Sequence, residues 1–223
     1  MRLDELADVG PFFALRTGEG GLPLLGEETV RQRVATVAAR LGTDDTRVAA
    51  SIAFQGIAGR LLSIGLGSAV LTGEVPDLAA GGLRWEPTSA APDDLWLPSP
   101  AALPGEDLRT AVVQDLLVPL HDLIRTVTPI SSPLLWGNAG SSLAGSLRVL
   151  HTWCLGRNRT EDAARAVALT HELFTDPLLR DTGVLSDTTY IRRTCCLYYR
   201  VPGGGMCGDC VLRHPPRHSA RRR

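Results

Sequence analysis

TRVAASIAFQGIAGRLLSIGLGSAV, residues 46–70, is apolar over a wide face that includes Val48, Ile52, Ile57 and Leu61. A stretch of this length and spacing reads as a helix at the centre of a helical core. Its N-terminus is marked by Thr43, Asp44 and Asp45, a capping hydroxyl followed by acids that face the helix dipole. GLGSAV at 65–70 opens like a dinucleotide fingerprint, but Val70 stands where the third glycine belongs and the stretch lies inside the helical run. Close packing against a neighbour is the better account of Gly65 and Gly67.

Helical spacing continues on both sides. Val30, Val34, Val37, Ala38 and Leu41 form an amphipathic stripe that Gly42 ends. Leu108, Val112, Leu116, Leu120 and Ile124 form another. Further helices are expected from about Pro133 to Leu155 and from Thr160 to Phe174. Between these helices, residues 72–105 are rich in Gly and Pro, and LRWE at 83–86 with LWLP at 95–98 reads as a small hairpin or a loop excursion. The expected fold is mainly α, with this small β element and a non-helical C-terminal segment; an α+β fold is the alternative. No internal repeat is visible.

The chain of 223 residues is 44% hydrophobic and 5% aromatic, so its core must be largely aliphatic. No uninterrupted apolar run approaches the roughly 20 residues of a membrane span. The acidic N-terminus, MRLDELADVGPFF, lacks the apolar region of an export signal. A cytoplasmic location, where thiols stay reduced, is the expectation. Charge is divided unevenly. Residues 1–184 carry 15 Arg against 22 acids, residues 185–223 carry 8 Arg against 2, and there is no lysine.

That basic end holds four of the five cysteines, in CCLYYRVPGGGMCGDC at 195–210. Two disulfides, a zinc site and an iron–sulfur centre are the alternatives. A reducing compartment disfavours disulfides. Zinc favours paired C-x2-4-C knuckles, and only Cys207–Cys210 has that form. Adjacent Cys195 and Cys196 point to opposite faces of an extended chain and serve one small ion awkwardly. A two-iron cluster is broader and accepts them with less distortion. CCLYYRV is expected as a strand, PGGG as a turn and MCGDCVL as a return, with Gly203, Gly204 and Gly205 allowing the backbone to approach a cofactor.

The pattern C-C-x10-C-x2-C, with Arg192 and Arg193 before it, resembles the signature of the FhuF-type ferric-siderophore reductases. LLWGNAGSSL at 134–143 is also similar to that family, and SIAFQGIAGRL at 51–61 more weakly so. The resemblance implies a 2Fe–2S cluster on Cys195, Cys196, Cys207 and Cys210. It also implies one-electron reduction of a ferric siderophore, of hydroxamate type, to release Fe(II), and the domain order it suggests is a helical siderophore-binding body over 1–184, a cluster segment over 185–214 and a basic tail over 215–223. Arg192, Arg193 and Arg200 are candidates for offsetting the cluster's negative charge, with plain surface solvation as their bland role. Trp136 and Asn138 are candidate pocket residues; alternatively Trp136 is core and Asn138 a cap.

No nicotinamide, flavin or nucleotide motif is visible, so electrons must come from an unidentified donor, a protein or a small reductant. This reading involves no nucleic acid and no membrane span. Arg217, Arg221, Arg222 and Arg223 of the tail are candidates for docking an acidic donor, against a plain solubilising role. Cys154 shares a helix face with His151 but lacks a third ligand and reads as a buried thiol. The other reading of the whole chain is a non-enzymatic iron–sulfur or zinc-binding regulatory or assembly protein.

Overall fold

A computed structural model of the chain describes residues 3–18, 21–80, 82–212 and 214. The basic tail 215–223, with its four arginines, lies outside the described residues. Six α-helices carry the fold: α1 (Leu3–Val9), α2 (Glu27–Leu41), α3 (Thr46–Thr72), α4 (Val118–Val127), α5 (Ser132–Leu155) and α6 (Thr160–Leu173). The mainly α expectation holds. Gly42, at φ 59°, ends α2 as expected, whereas Asp45 rather than Thr43 caps α3, its side chain accepting the Arg47 N–H at 3.1 Å.

Helix α3 is buried on nearly every side and packs on α2, α5 and α6. Among the described residues it alone is long and apolar enough to cross a membrane by length and composition, yet 83% of its most apolar window is buried inside the protein. It is the core helix its sequence predicts. Two of its glycines, Gly65 and Gly67, lie against side chains that a Cβ would crowd. A Cβ at Gly65 would lie 2.6 Å from Val112 Cγ2, and one at Gly67 would lie 2.7 Å from Phe13 Cδ1. Residues Arg109–Leu117, expected as an ordinary helix, form a π-helix that runs into α4. Pro119, in the first turn of α4, has no N–H and crowds the carbonyl of Asp115, so the preceding turn widens.

Of the two readings of residues 83–98, the hairpin is the one present: β3 (Arg84–Trp85) runs antiparallel to β4 (Leu95–Leu97), pairing Arg84 with Trp96 and Trp85 with Leu95. A third strand that the sequence did not suggest, β1 (Arg16–Thr17), adds in parallel to β4. Strands β2 (Glu74–Pro76) and β5 (Ala102–Pro104) form a separate antiparallel pair. Arg60 of α3 joins these parts. Its guanidinium is buried, pairs with Asp94 at 2.9 Å and donates to the carbonyls of Pro11 and Ala14 at 2.7 Å each. Loop 10–15 is thereby fixed over the α3–α5 contact.

The C-terminal segment departs from its expected form. CCLYYRV is not a strand: Tyr198–Arg200 is a short 3-10 turn, and MCGDCVL forms no return strand. The strands lie earlier, in the hairpin β6 (Gly183–Ser186) and β7 (Thr189–Arg192). Its inward pattern is inverted, because Ile191 is 58% exposed while Arg192 is 1% exposed. The hairpin rests on α5, where small residues let it come close. A Cβ at Gly140 would lie 2.3 Å from Thr182 Oγ1 and 2.6 Å from the Tyr190 hydroxyl, and one at Gly137 would lie 1.9 Å from Thr194 Oγ1. The glycines of LLWGNAGSSL thus form the flat seat of the C-terminal segment. The expected boundary at 184–185 falls inside β6.

Candidate iron–sulfur site

The four C-terminal thiols collect on a loop that leaves β7, turns back at Leu197 with φ 69° and again at Gly203 with φ 69°, and ends beside β7. The Arg192 N–H donates to the Asp209 carbonyl at 3.1 Å, which ties the two ends of the loop together. Cys196 Sγ lies 3.6 Å from Cys207 Sγ. Cys196 is buried, and Cys195, Cys207 and Cys210 are partly exposed. Among the described residues, no three His, Cys, Asp or Glu side chains converge on a single-ion site.

Backbone amides are aimed at these sulfurs. Leu197 N–H donates to Cys195 Sγ at 3.3 Å and Leu212 N–H to Cys210 Sγ at 3.4 Å, each two residues on from its cysteine. The Tyr198 amide serves Cys196 in the same way. Such donors stabilise thiolate charge. Within the central pair, the hydrogen bond from Cys196 pulls the Cys207 thiol down to about 6, with Arg192 adding to the effect. The same hydrogen bond and burial push Cys196 up.

Behind the thiols is a buried polar chain. Arg192 Nη2 donates to Asn138 Oδ1. Asn138 Nδ2 donates to the carbonyl and the hydroxyl of Ser51, both at 2.9 Å. Ser51 Oγ donates to the Cys196 carbonyl at 2.7 Å. Ser51 and Asn138 are completely buried. The three stretches that carry the family resemblance, 51–61, 134–143 and the cysteine segment, therefore meet in one network. Arg192 Nε and Nη1, and Thr194 Oγ1, are buried without a hydrogen-bond partner in the protein. Orphaned donors of this kind are costly unless something accepts from them. A sulfur-rich anionic group held by the adjacent thiols is such an acceptor, so the donor set and its surroundings fit a 2Fe–2S cluster.

The other two candidate arginines pair with carboxylates. Arg193 is exposed and lies 3.3 Å from Asp181, and Arg200 pairs with Asp45 at 3.2 Å, which docks the loop on the N-terminus of α3. Their charges are answered by carboxylates; of the three candidates only Arg192 is buried against the thiols. Trp136 and Asn138, the candidate pocket residues, are both buried. Trp136 is 8% exposed and stacks on His121 at 5.1 Å, and Asn138 joins Ser51 to Arg192 in the polar chain. The side chains that do line a cavity were not evident from sequence. A groove of about 640 Å³ lies between α3, α5 and loop 10–13, lined among others by Phe12, Gln55, Ser141 and Arg148 and bounded by Cys207, Gly208 and Asp209. Cys154 is fully buried in α5 and burial raises its thiol, in keeping with its reading as an inert core residue.

The family model of the FhuF 2Fe–2S C-terminal domain matches residues 192–212. A ferric siderophore reductase of Escherichia coli (strain K12) is 32% identical over 105 residues, which cover 46% of this chain and 39% of that relative. The aligned part thus spans about two fifths of the relative's length. No solved structure matches. The cysteine-bearing segment, residues 192–212, matches the FhuF-type 2Fe–2S C-terminal domain, and the resemblance and the cofactor read from C-C-x10-C-x2-C are borne out.

Proposed function

We propose that the protein is a ferric-siderophore reductase that releases iron as Fe(II) inside the cytoplasm, drawing electrons from a separate donor. Cys195, Cys196, Cys207 and Cys210 hold the cluster, and the observation that carries the reading is that Cys207 forms part of the wall of the groove. A bound 2Fe–2S cluster supplies one electron at a time. Fe(III) in a hydroxamate chelate is gripped by hard anionic oxygens, and Fe(II), with less charge, is gripped more weakly. One electron therefore makes the iron exchangeable, and the protein needs no acid, base or nucleophile. The chain's own task is to hold the thiols rigidly, to set their electrostatics and to bring the chelate to them.

Arg192 serves the second task. A buried cation beside four thiolates favours the more negative, reduced state, and low local dielectric strengthens the effect. Arg192→Leu is expected to lower the midpoint potential by tens of millivolts, about 59 mV corresponding to a tenfold change for a one-electron couple. Arg192→Lys, which keeps the charge, is expected to restore most of it. A spectroelectrochemical titration in which both variants match the wild type rules out this role. The function is tested by following ferrous ion in a chromophoric trap. Cluster-loaded protein with a chemical reductant and a ferric hydroxamate should generate Fe(II) well above the reductant alone. No acceleration with any ferric siderophore contradicts the proposal.

A further inference from the structure

We infer that the groove between α3 and α5 is the seat of the ferric chelate, with the amide of Gln55 and the hydroxyl of Ser141 orienting it and Phe12 and Val149 contacting its methylene arms. The inference rests on the reductase reading and assigns that reading a place. The groove's volume of about 640 Å³ lies within the ordinary 300–1,000 Å³ range of small-molecule sites. Its composition is what a bulky, amphipathic chelate requires. Gln55 Nε2 and Ser141 Oγ are 3.4 Å apart and partner each other only weakly, so both have capacity for a ligand's carbonyls and amides. Phe12 and Val149 are 43% and 46% exposed, unusual for large apolar side chains that share one recess. Apart from the cluster ligand Cys207, Arg148 and Asp209 are the only charged side chains among the described residues that line the groove, one of each sign, so the walls suit a chelate of little net charge.

The position is as informative as the composition. Cys207 and Gly208 are both wall residues, and Gly208 has no side chain to stand between a seated chelate and the thiols. Glycine also keeps the helical walls of the groove open. A Cβ built on Gly56 of α3 or on Gly145 of α5 meets nothing within 4 Å, in contrast to Gly65, Gly67, Gly137 and Gly140. Glycine is a poorer helix former than alanine, so its presence inside a helix has a cost. At Gly137 and Gly140 close packing explains that cost; at Gly56 and Gly145 the space itself is what glycine preserves.

Gly145→Phe and, separately, Gly56→Phe put a ring into this space from positions whose Cβ meets neither a thiol nor the buried polar chain. The probes are a ferric hydroxamate and its redox-inert gallium(III) counterpart. In each variant, circular dichroism and the EPR spectrum of the reduced cluster are expected to match the wild type. Binding of the gallium complex, measured by calorimetry, is expected to weaken at least tenfold, and oxidation of the reduced protein by the ferric complex to slow in proportion. Where one variant misfolds, the other, on the opposite wall, carries the test. If the wild type is oxidised by the ferric complex while both folded variants bind gallium as tightly as it does, the groove assignment falls and the reductase reading stands. If the wild type neither binds the gallium complex nor is oxidised by the ferric one, both fall.

Discussion

Cys196→Ser is expected to leave the purified protein with essentially no bound cluster, without its visible absorption and without an EPR signal on reduction. Serine keeps the size of the side chain and its capacity to hydrogen-bond, and the backbone carbonyl that Ser51 holds at 2.7 Å is untouched. What is lost is the soft thiolate, and a hydroxyl that stays protonated near neutral pH does not replace it. Because Cys196 is 3% exposed, no solvent-borne ligand can easily take its place. The same loss is expected at Cys195, Cys207 and Cys210. Cys154→Ser is expected to retain full iron and sulfide, since Cys154 lies buried near the C-terminal end of α5 and takes no part in the thiol set. Iron and sulfide analysis of the five single variants checks the set, and normal cluster content in the Cys196 variant removes that residue from it.

Asp94→Ala is expected to produce the largest loss of stability away from the cysteines. Arg60 and Asp94 are 1% and 3% exposed, and removing one partner strands the other's charge in the core. Breaking such a pair typically costs about 3–5 kcal/mol, against a total stability of roughly 5–15 kcal/mol for a domain. The effect also reaches the groove, because Arg60 holds the carbonyls of Pro11 and Ala14 and so positions Phe12. Asp93→Ala is the control. Its pair with Arg16 is 59% and 50% exposed, and exposed pairs contribute about 0–1 kcal/mol. Denaturant midpoints separate the two; an Asp94 variant that loses no more than the Asp93 variant contradicts the account of Arg60 as a buried anchor.

The helices were legible because their apolar residues recur at helical spacing and their ends carry recognisable signals, Gly42 after α2 and the acids before α3. The hairpin at 84–97 was legible from two aromatic-aliphatic pieces separated by Gly and Pro. Strand β1 was not, since two exposed residues have no alternation to read. The π-helical turn arises from a single proline, Pro119, inside an otherwise regular stripe. At the C-terminus, strand composition was read in CCLYYRV, whereas the strand lies at Thr189–Arg192 with its arginine inward and its isoleucine outward. That inversion is intelligible only once Asn138 and the thiols are known to be Arg192's neighbours. Likewise, Ser51, Asn138 and Arg192 are far apart in sequence and ordinary in type, and their joint role depends on α3, α5 and β7 meeting at one point. The four cysteines were legible because their spacing is itself the signal. The groove was not, because Gln55, Ser141 and the open glycines of α3 and α5 look like any helix–helix contact until the helices are packed.

The proposal that this chain passes single electrons to chelated ferric iron is addressed directly by one measurement. Protein reduced anaerobically to one electron per chain, and freed of reductant, is mixed rapidly with a ferric hydroxamate in the presence of a ferrous trap. The absorbance of the oxidised cluster and of the trapped Fe(II) are then followed together. The account predicts that both rise with the same time course and end at one Fe(II) per chain reoxidised. A cluster that stays reduced in the presence of excess ferric hydroxamate, or reoxidises with no Fe(II) formed, contradicts it.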